Sequence, residues 1–315
     1  MSDPRMMAGR GWPFDPTRPR RDFGFFGPDS PTWKVWTHPT ALIGFQRAVT
    51  LEHFDPMLAA AVADADGIYT DPRGRMDGTL SYFLLVAVGD SRTATATAEL
   101  LMKVHARATG IEPISGKRYS ANNPASQLWI HVTGWHSVLK CYEMFGPGPL
   151  SPAEESRYWA DCVTAAELQT CRPADVPTSR DEVRAYFDAV RPTLCSSERA
   201  LRGMHYLLRT RGGRGRGRLW ATSRALAPAT IATLPKWMRT LGEFDQPAAL
   251  DRAVVPAARA VVRATRSPAA MSRVVAGTLP MTRSVLQWHF DNPTAQRAEV
   301  VSPAEARERL HATPA

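Results

Sequence analysis

The chain is poor in lysine, in paired cysteines, in long apolar runs and in strand-like alternation, and each shortage removes a class of protein. Only five of its 39 basic residues are lysine, so the formal charge of +9 is almost entirely arginine. The charge is also local. Eight arginines and no acid lie between Arg199 and Arg224, and the run Arg209-Thr-Arg-Gly-Gly-Arg-Gly-Arg-Gly-Arg218 reads as a flexible, exposed loop. An Arg/Gly segment can hold RNA or phospholipid headgroups, but a single short run reads better as a solvated connection, so nucleic acid is not an expected partner. Cys141, Cys162, Cys171 and Cys195 form no C-x-x-C pair and match neither a zinc spacing nor a small secreted disulfide framework. Four reduced thiols in a cytoplasmic protein are expected. Arg20-Arg21-Asp-Phe23 has the look of a twin-arginine export signal, yet Gly-Phe-Phe-Gly-Pro-Asp follows where a long apolar stretch belongs. The longest apolar run, Leu80 to Val88, is interrupted by Ser81 and Tyr82 and is far short of the ~20 residues a bilayer span needs.

What is present is an ordinary globular composition, 44% hydrophobic and 22% charged over 315 residues, enough to bury a sizeable core. Helix punctuation recurs, with N-caps followed by Pro or by a capping-box acid, and this predicts an all-α fold: a single multi-helix domain over 31–290. Residues 1–30, rich in Pro, Gly and Arg, read as an irregular N-terminal arm pinned by Trp12, Phe14 and Phe23, and 291–315 as a frayed C-terminal tail. Asp71-Pro72 opens one helix. Gly89-Asp90-Ser91 breaks it and caps a second, predicted to run to about 109, with a loop or short hairpin before Asn123-Pro124 opens a third. Leu128, His131, Val132, Trp135, Val138, Leu139 and Tyr142 share one face of that third helix. Ser151-Pro-Ala-Glu154 and Ser179-Arg-Asp-Glu182 are capping boxes, giving helices over 152–171 and 180–190. Further helices are expected over 197–210, 219–227, 235–241, 248–265, with Pro256 kinking or breaking the last, and 269–290.

Chemistry concentrates in a few residues. On the helix after Asp90, His105 shares a face with Ala94, Ala98, Leu101 and Ala108, so it points inward, and the small neighbours would let something flat such as a porphyrin approach. An inward histidine is equally the signature of a core imidazole bonded to a carbonyl. Arg75 and Thr79, four apart at a helix start, make a donor pair able to hold an anion, a haem propionate or iron-bound oxygen, or simply a solvated face.

The order Arg75-x-x-x-Thr79, Val-x-His105, Gly110, Tyr119-x-Ala121-x-Asn123-Pro124 and Leu128-Trp-Ile-His131 resembles the MpaB and rubber-oxygenase family. Trp33-Lys-Val-Trp36, His38-Pro39, Gly44 and Arg47-Ala48 agree with it upstream, so the likeness covers residues 30–186. The resemblance implies an all-helical fold that binds haem b, with His105 as proximal iron ligand, Arg75 and Thr79 on the distal side as cofactor-binding and catalytic residues, and His131 beside the cofactor in a supporting role. The lysine that serves as second axial ligand in the latex clearing protein falls on Gly78, leaving the sixth iron position open, as suits O2 binding. The carboxylate base of the rubber-cleaving members matches none of Glu52, Asp55, Asp64 or Asp66 in spacing, so rubber cleavage is not implied. The leading expectation is a haem-b-dependent oxygenase acting on a lipophilic small or medium-sized substrate with O2 and an electron donor. The alternatives are a non-catalytic haem-binding sensor or partner protein, and a haem-free interaction protein that docks through 199–224. Peripheral contact with a membrane stays open.

Overall fold

The computed structural model describes residues 12–210 and 217–312. Among these residues it holds sixteen α-helices and one two-stranded sheet, so the fold is all-α as expected. The helices are α1 Pro31–Trp36, α2 Ala41–Glu52, α3 Pro56–Ala65, α4 Gly67–Thr70, α5 Pro72–Val88 and α6 Ser91–His105. A hairpin of β1 Thr109–Ile111 and β2 Arg118–Ser120 follows, then α7 Pro124–Phe145, α8 Pro152–Ala166, α9 Arg180–Val190 and α10 Glu198–Leu208. The chain ends with α11 Gly217–Ala232, α12 Lys236–Leu241, α13 Ala248–Thr265, α14 Pro268–Ala276, α15 Pro280–Asp291 and α16 Pro303–His311.

Local chemistry explains the starts. Asp71 accepts from Gly74 N, Asp90 from Thr93 N, and Asn123 from Ala125 N, each side chain satisfying a backbone donor that the first turn leaves free. Ser151 and Glu154 close a reciprocal capping box on α8. The centre is α7. Its buried face, Val132, Trp135, Val138, Leu139 and Tyr142, packs on α2 so closely that a Cβ added to Gly44 would lie 2.7 Å from Val138 Cα. Trp36 stacks on Phe83 and meets Trp135 edge-on, tying α1, α5 and α7 into the main core. A second cluster, around Leu51, Phe54, Met204, Ile231 and Phe244, holds α2 to the helices beyond α10.

The departures from expectation lie at ends and breaks. α6 stops at His105 because Thr109–Ile111 pairs antiparallel with Arg118–Ser120, and α8 stops at Ala166. α11 runs beyond 227 through Pro228, and α13 continues through Pro256, whose exposed position leaves the freed carbonyl to water. The last segment is two helices parted at Gly277–Leu279. The residues after Asp291 do not fray. Gln296 N and Arg297 N donate to the carbonyls of Arg20 and Arg21, Phe23 N to Glu299 O, and Val301 N to Gly24 O, so tail and arm lie side by side. Val301 and Ala306 are each 1% exposed, and α16 packs on α6. That pairing joins the two ends of the chain, and no local periodicity encodes it.

The arm also locks the α5–α6 turn. Gly24 has φ +66°, and a Cβ there would sit 2.2 Å from Gly89 O, so only glycine fits. The Asp22 carboxylate accepts from the Ser91 N–H and hydroxyl, both at 2.7 Å.

Candidate functional site

Because only Gly89 and Asp90 separate α5 from α6, the two helices run antiparallel, and the first turns of α5 lie beside the last turns of α6. Arg75 and Thr79 are therefore at the same end as His105. All three line one cleft, with about 1450 Å³ of empty space counting that open at its mouth. Met57, Leu58, Ala61 and Val62 of α3, with Phe83, Leu101, Val104 and Ile130, give it an apolar wall. Gly78 lines it too, so no side chain reaches in from that position. His131 lies outside. Its Nε2 donates to Cys162 O at 2.7 Å, and its ring leans on Trp135, fastening α7 to α8; the helical stripe correctly reads it as inward, but inward here means toward α8. Of the apolar residues flanking the motif, Phe83 faces the cleft while Trp129, Trp135, Leu80 and Leu84 belong to the core.

Two neighbouring residues complete the polar part of the cleft. Glu52 and His53, at the end of α2, line it beside Arg75. Burial pushes the Glu52 carboxyl up to about 8 even though the Arg75 cation pulls it back, and burial lowers the Arg75 guanidinium. Among the described residues Arg75 makes no salt bridge within 4.0 Å, so its charge remains available to a ligand in the cleft. His53 is 4% exposed, and its Nδ1–H donates to Val49 O at 2.7 Å; its Nε2 is buried without a partner. Of Glu52, Asp55, Asp64 and Asp66, the carboxylates weighed from the sequence, only Glu52 lines the cleft, and only the fold selects it. The signal that could have found the pair is two adjacent ionisable residues at the C-terminal end of a largely buried helix.

His105 is a neutral imidazole at pH 7, because burial and then the Arg75 charge hold its pKa down to about 4. Its Nδ1 lies 3.2 Å from the Gln127 side-chain amide, which also donates to Ala121 O. Thr79 donates its hydroxyl proton to Arg75 O at 2.8 Å, leaving its oxygen as an acceptor. Among the described residues no group of three or more His, Cys, Asp or Glu side chains is arranged to hold a bare metal ion. A porphyrin asks less of the protein: one neutral imidazole, a cation for the propionates and an apolar slot. The cleft offers all three.

Residues 33–266 match the family model described as ER-bound oxygenase mpaB/B'/Rubber oxygenase, catalytic domain. The match extends past the likeness visible in residues 30–186 to the end of α13. No curated protein and no solved structure matches the chain. Among the described residues no helix is long and apolar enough to cross a membrane.

Proposed function

Since the chain belongs to the mpaB/rubber-oxygenase family of catalytic domains, we propose that its cleft takes haem b and that the protein is a haem-dependent oxygenase acting on a lipophilic substrate of small or medium size with O2. The observation that carries this reading is that His105, Arg75, Thr79 and Glu52 share one largely apolar cleft although they come from three different helices. His105 would be the iron ligand, as the likeness to the family implies; its imidazole lines the cleft and is held in the neutral form that coordination requires. Haem b, when bound, supplies the redox chemistry that activates O2.

The chain's own groups have separate tasks. Arg75 binds negative charge, either a propionate or charge developing on the reacting group. Thr79 offers an acceptor oxygen one turn further along the same face. Glu52, with a pKa near 8, is mostly protonated at neutrality and can give up or regain a proton beside the substrate. The α3 wall excludes water and favours an apolar substrate. Gln127 sets the His105 tautomer. With its amide N–H toward Nδ1 the ring proton sits on Nε2, and the same amide nitrogen donates to Ala121 O; holding haem through Nε2 would need the ring proton on Nδ1. Gln127→Ala removes this orienting contact and is expected to weaken haem binding roughly 10-fold, measured by haem titration.

The deciding experiment is the absorption spectrum of the haem-loaded wild type beside His105→Ala. A Soret band in the wild type that shifts or vanishes in the variant is expected; an unchanged spectrum in the variant removes His105 as the ligand. O2 uptake with product from candidate lipids supports the oxygenase, whereas spectral ligand binding without O2 consumption reassigns the protein as a sensor or partner protein. No Soret band after haem addition points instead to a haem-free role for the basic 199–224 segment, of which residues 211–216 lie outside those described.

A further inference from the structure

The hairpin beside the cleft has two faces of opposite character. Gly110 pairs with Tyr119, whose ring fills the space a Gly110 side chain would need, and the Tyr119 hydroxyl donates to Asp64 at 2.7 Å, seating that face on α3. On the other face Ile111 stands opposite Arg118, and Ile111 is 57% exposed. Ile114 at the tip is 68% exposed. These are two of the most exposed large apolar side chains among the described residues, and they lie on one short projection.

The exposed charge on the hairpin and at the end of α6 is basic, while Asp64 and Asp66 lie exposed at the end of α3. Lys103 and Arg107 at the end of α6 and Lys117 and Arg118 on the hairpin are all exposed. The acid within the turn, Glu112, is 2% exposed and folded inward, accepting from Ile114 N at 2.9 Å and from the Ser115 N–H and hydroxyl at 2.6 and 2.7 Å. Asp64 at the base is occupied by Tyr119 and by Arg199 at 2.8 Å. The turn is thus built to hold isoleucine outward while hiding its own carboxylate. The base of the same hairpin, Tyr119 to Ala121, together with Ala108, lines the cleft.

We propose that this hairpin docks the protein on an anionic lipid surface, Ile111 and Ile114 entering the headgroup–acyl boundary and Lys103, Arg107, Lys117 and Arg118 pairing with lipid phosphates, so that the cleft mouth opens beside the bilayer. Two isoleucines on a tip make too little area for a stable protein interface, but they suit shallow insertion by a ring of cations with flexible apolar stems. The proposal takes from the proposed function only the lipophilic substrate; docking itself needs no haem.

The test is co-sedimentation of the full-length protein with phosphatidylcholine vesicles, alone or mixed about three to one with phosphatidylglycerol. Binding to the mixed vesicles, little to the neutral ones, and loss of binding at high salt are expected. Lys117→Glu/Arg118→Glu should lower the partition coefficient roughly fivefold for each charge removed, and Ile111→Ser/Ile114→Ser should lower it about as much at constant salt dependence. Both double variants should keep wild-type circular dichroism and haem titration, which separates failure of docking from failure of the cleft. Wild type that ignores both vesicles, or variants that bind as it does, overturns the proposal. So does a wild-type dimer, made monomeric by Ile111→Ser/Ile114→Ser without vesicle binding, since the occupant would then be a second copy.

Discussion

Each end of the α5–α6 pair has an arginine beside a buried histidine, and the two ends use these groups in opposite ways. At the turn end Arg20 is fully buried, donates to Val88 O at 2.7 Å, Asn292 O at 2.8 Å and His289 Nδ1 at 3.0 Å, and lies between the rings of Trp33 and Trp288. His289 is correspondingly held neutral, its pKa pushed down to about 3 by burial and by Arg20. At the open end Arg75 has Glu52 as its electrostatic neighbour and no salt bridge among the described residues, while His53 keeps a buried nitrogen without a partner. A buried polar group costs stability unless its partners are supplied. One end spends its polar groups on the fold; the other leaves them for a ligand.

Replacing each arginine tests this most directly. Arg20→Met leaves two carbonyls and an imidazole unpaired in the core and is expected to cost roughly 3–5 kcal/mol by urea denaturation. Equal losses from Arg20→Met and Arg75→Met would erase the contrast. The next effect in size is at Gly203 on α10, where an added Cβ would lie 2.5 Å from His53 Cδ2 and 2.8 Å from its Nε2. Gly203→Ala is therefore expected to cost about 1–3 kcal/mol through overpacking and to perturb ligand binding in the cleft; a silent substitution would show that the His53 ring is loosely held.

Smaller still is the pH response of Glu52. Its folded pKa is raised to about 8, so the folded state holds a proton that the unfolded chain releases near its ordinary carboxylate value. Stability from this group is full below that value and is lost as pH rises toward 8. Glu52→Gln should then be more stable than wild type at pH 8, by about 1–2 kcal/mol after allowance for partial exposure, and indistinguishable from it near pH 4. A gap that widens as pH falls would contradict the burial argument. The smallest effect belongs to Arg75→Met without ligand, expected to raise stability by about 0.5–1 kcal/mol because an unpaired, partly buried cation is removed, while abolishing the preference of the cleft for anionic ligands in binding titrations.

Local signals carried much of the fold. Asp71, Asp90, Asn123, Ser151 and Ser179 each cap the helix their side-chain chemistry predicts, because a cap is satisfied within three residues of itself. The inward direction of His105 followed from helical period, and the short link between α5 and α6 brought Arg75 and Thr79 to it. Glu52 and His53 were not legible as members of the cleft, since their contacts with α5 and α10 depend on how α2 packs across α7. His131 shows the same limit from the other side: a stripe establishes that a side chain is buried and not what it is buried against.

The sequence alone thus determined the helical class, the positions of the helix starts and the family to which the chain is similar, all of which rest on interactions spanning a few residues or on order along the chain. The tertiary structure decided which carboxylate faces Arg75, that the tail pairs with the arm around Arg20, and that the hairpin holds Ile111 and Ile114 out beside the cleft. Each of these is a contact between segments far apart in the chain, and its energy exists only once the core has fixed their distance.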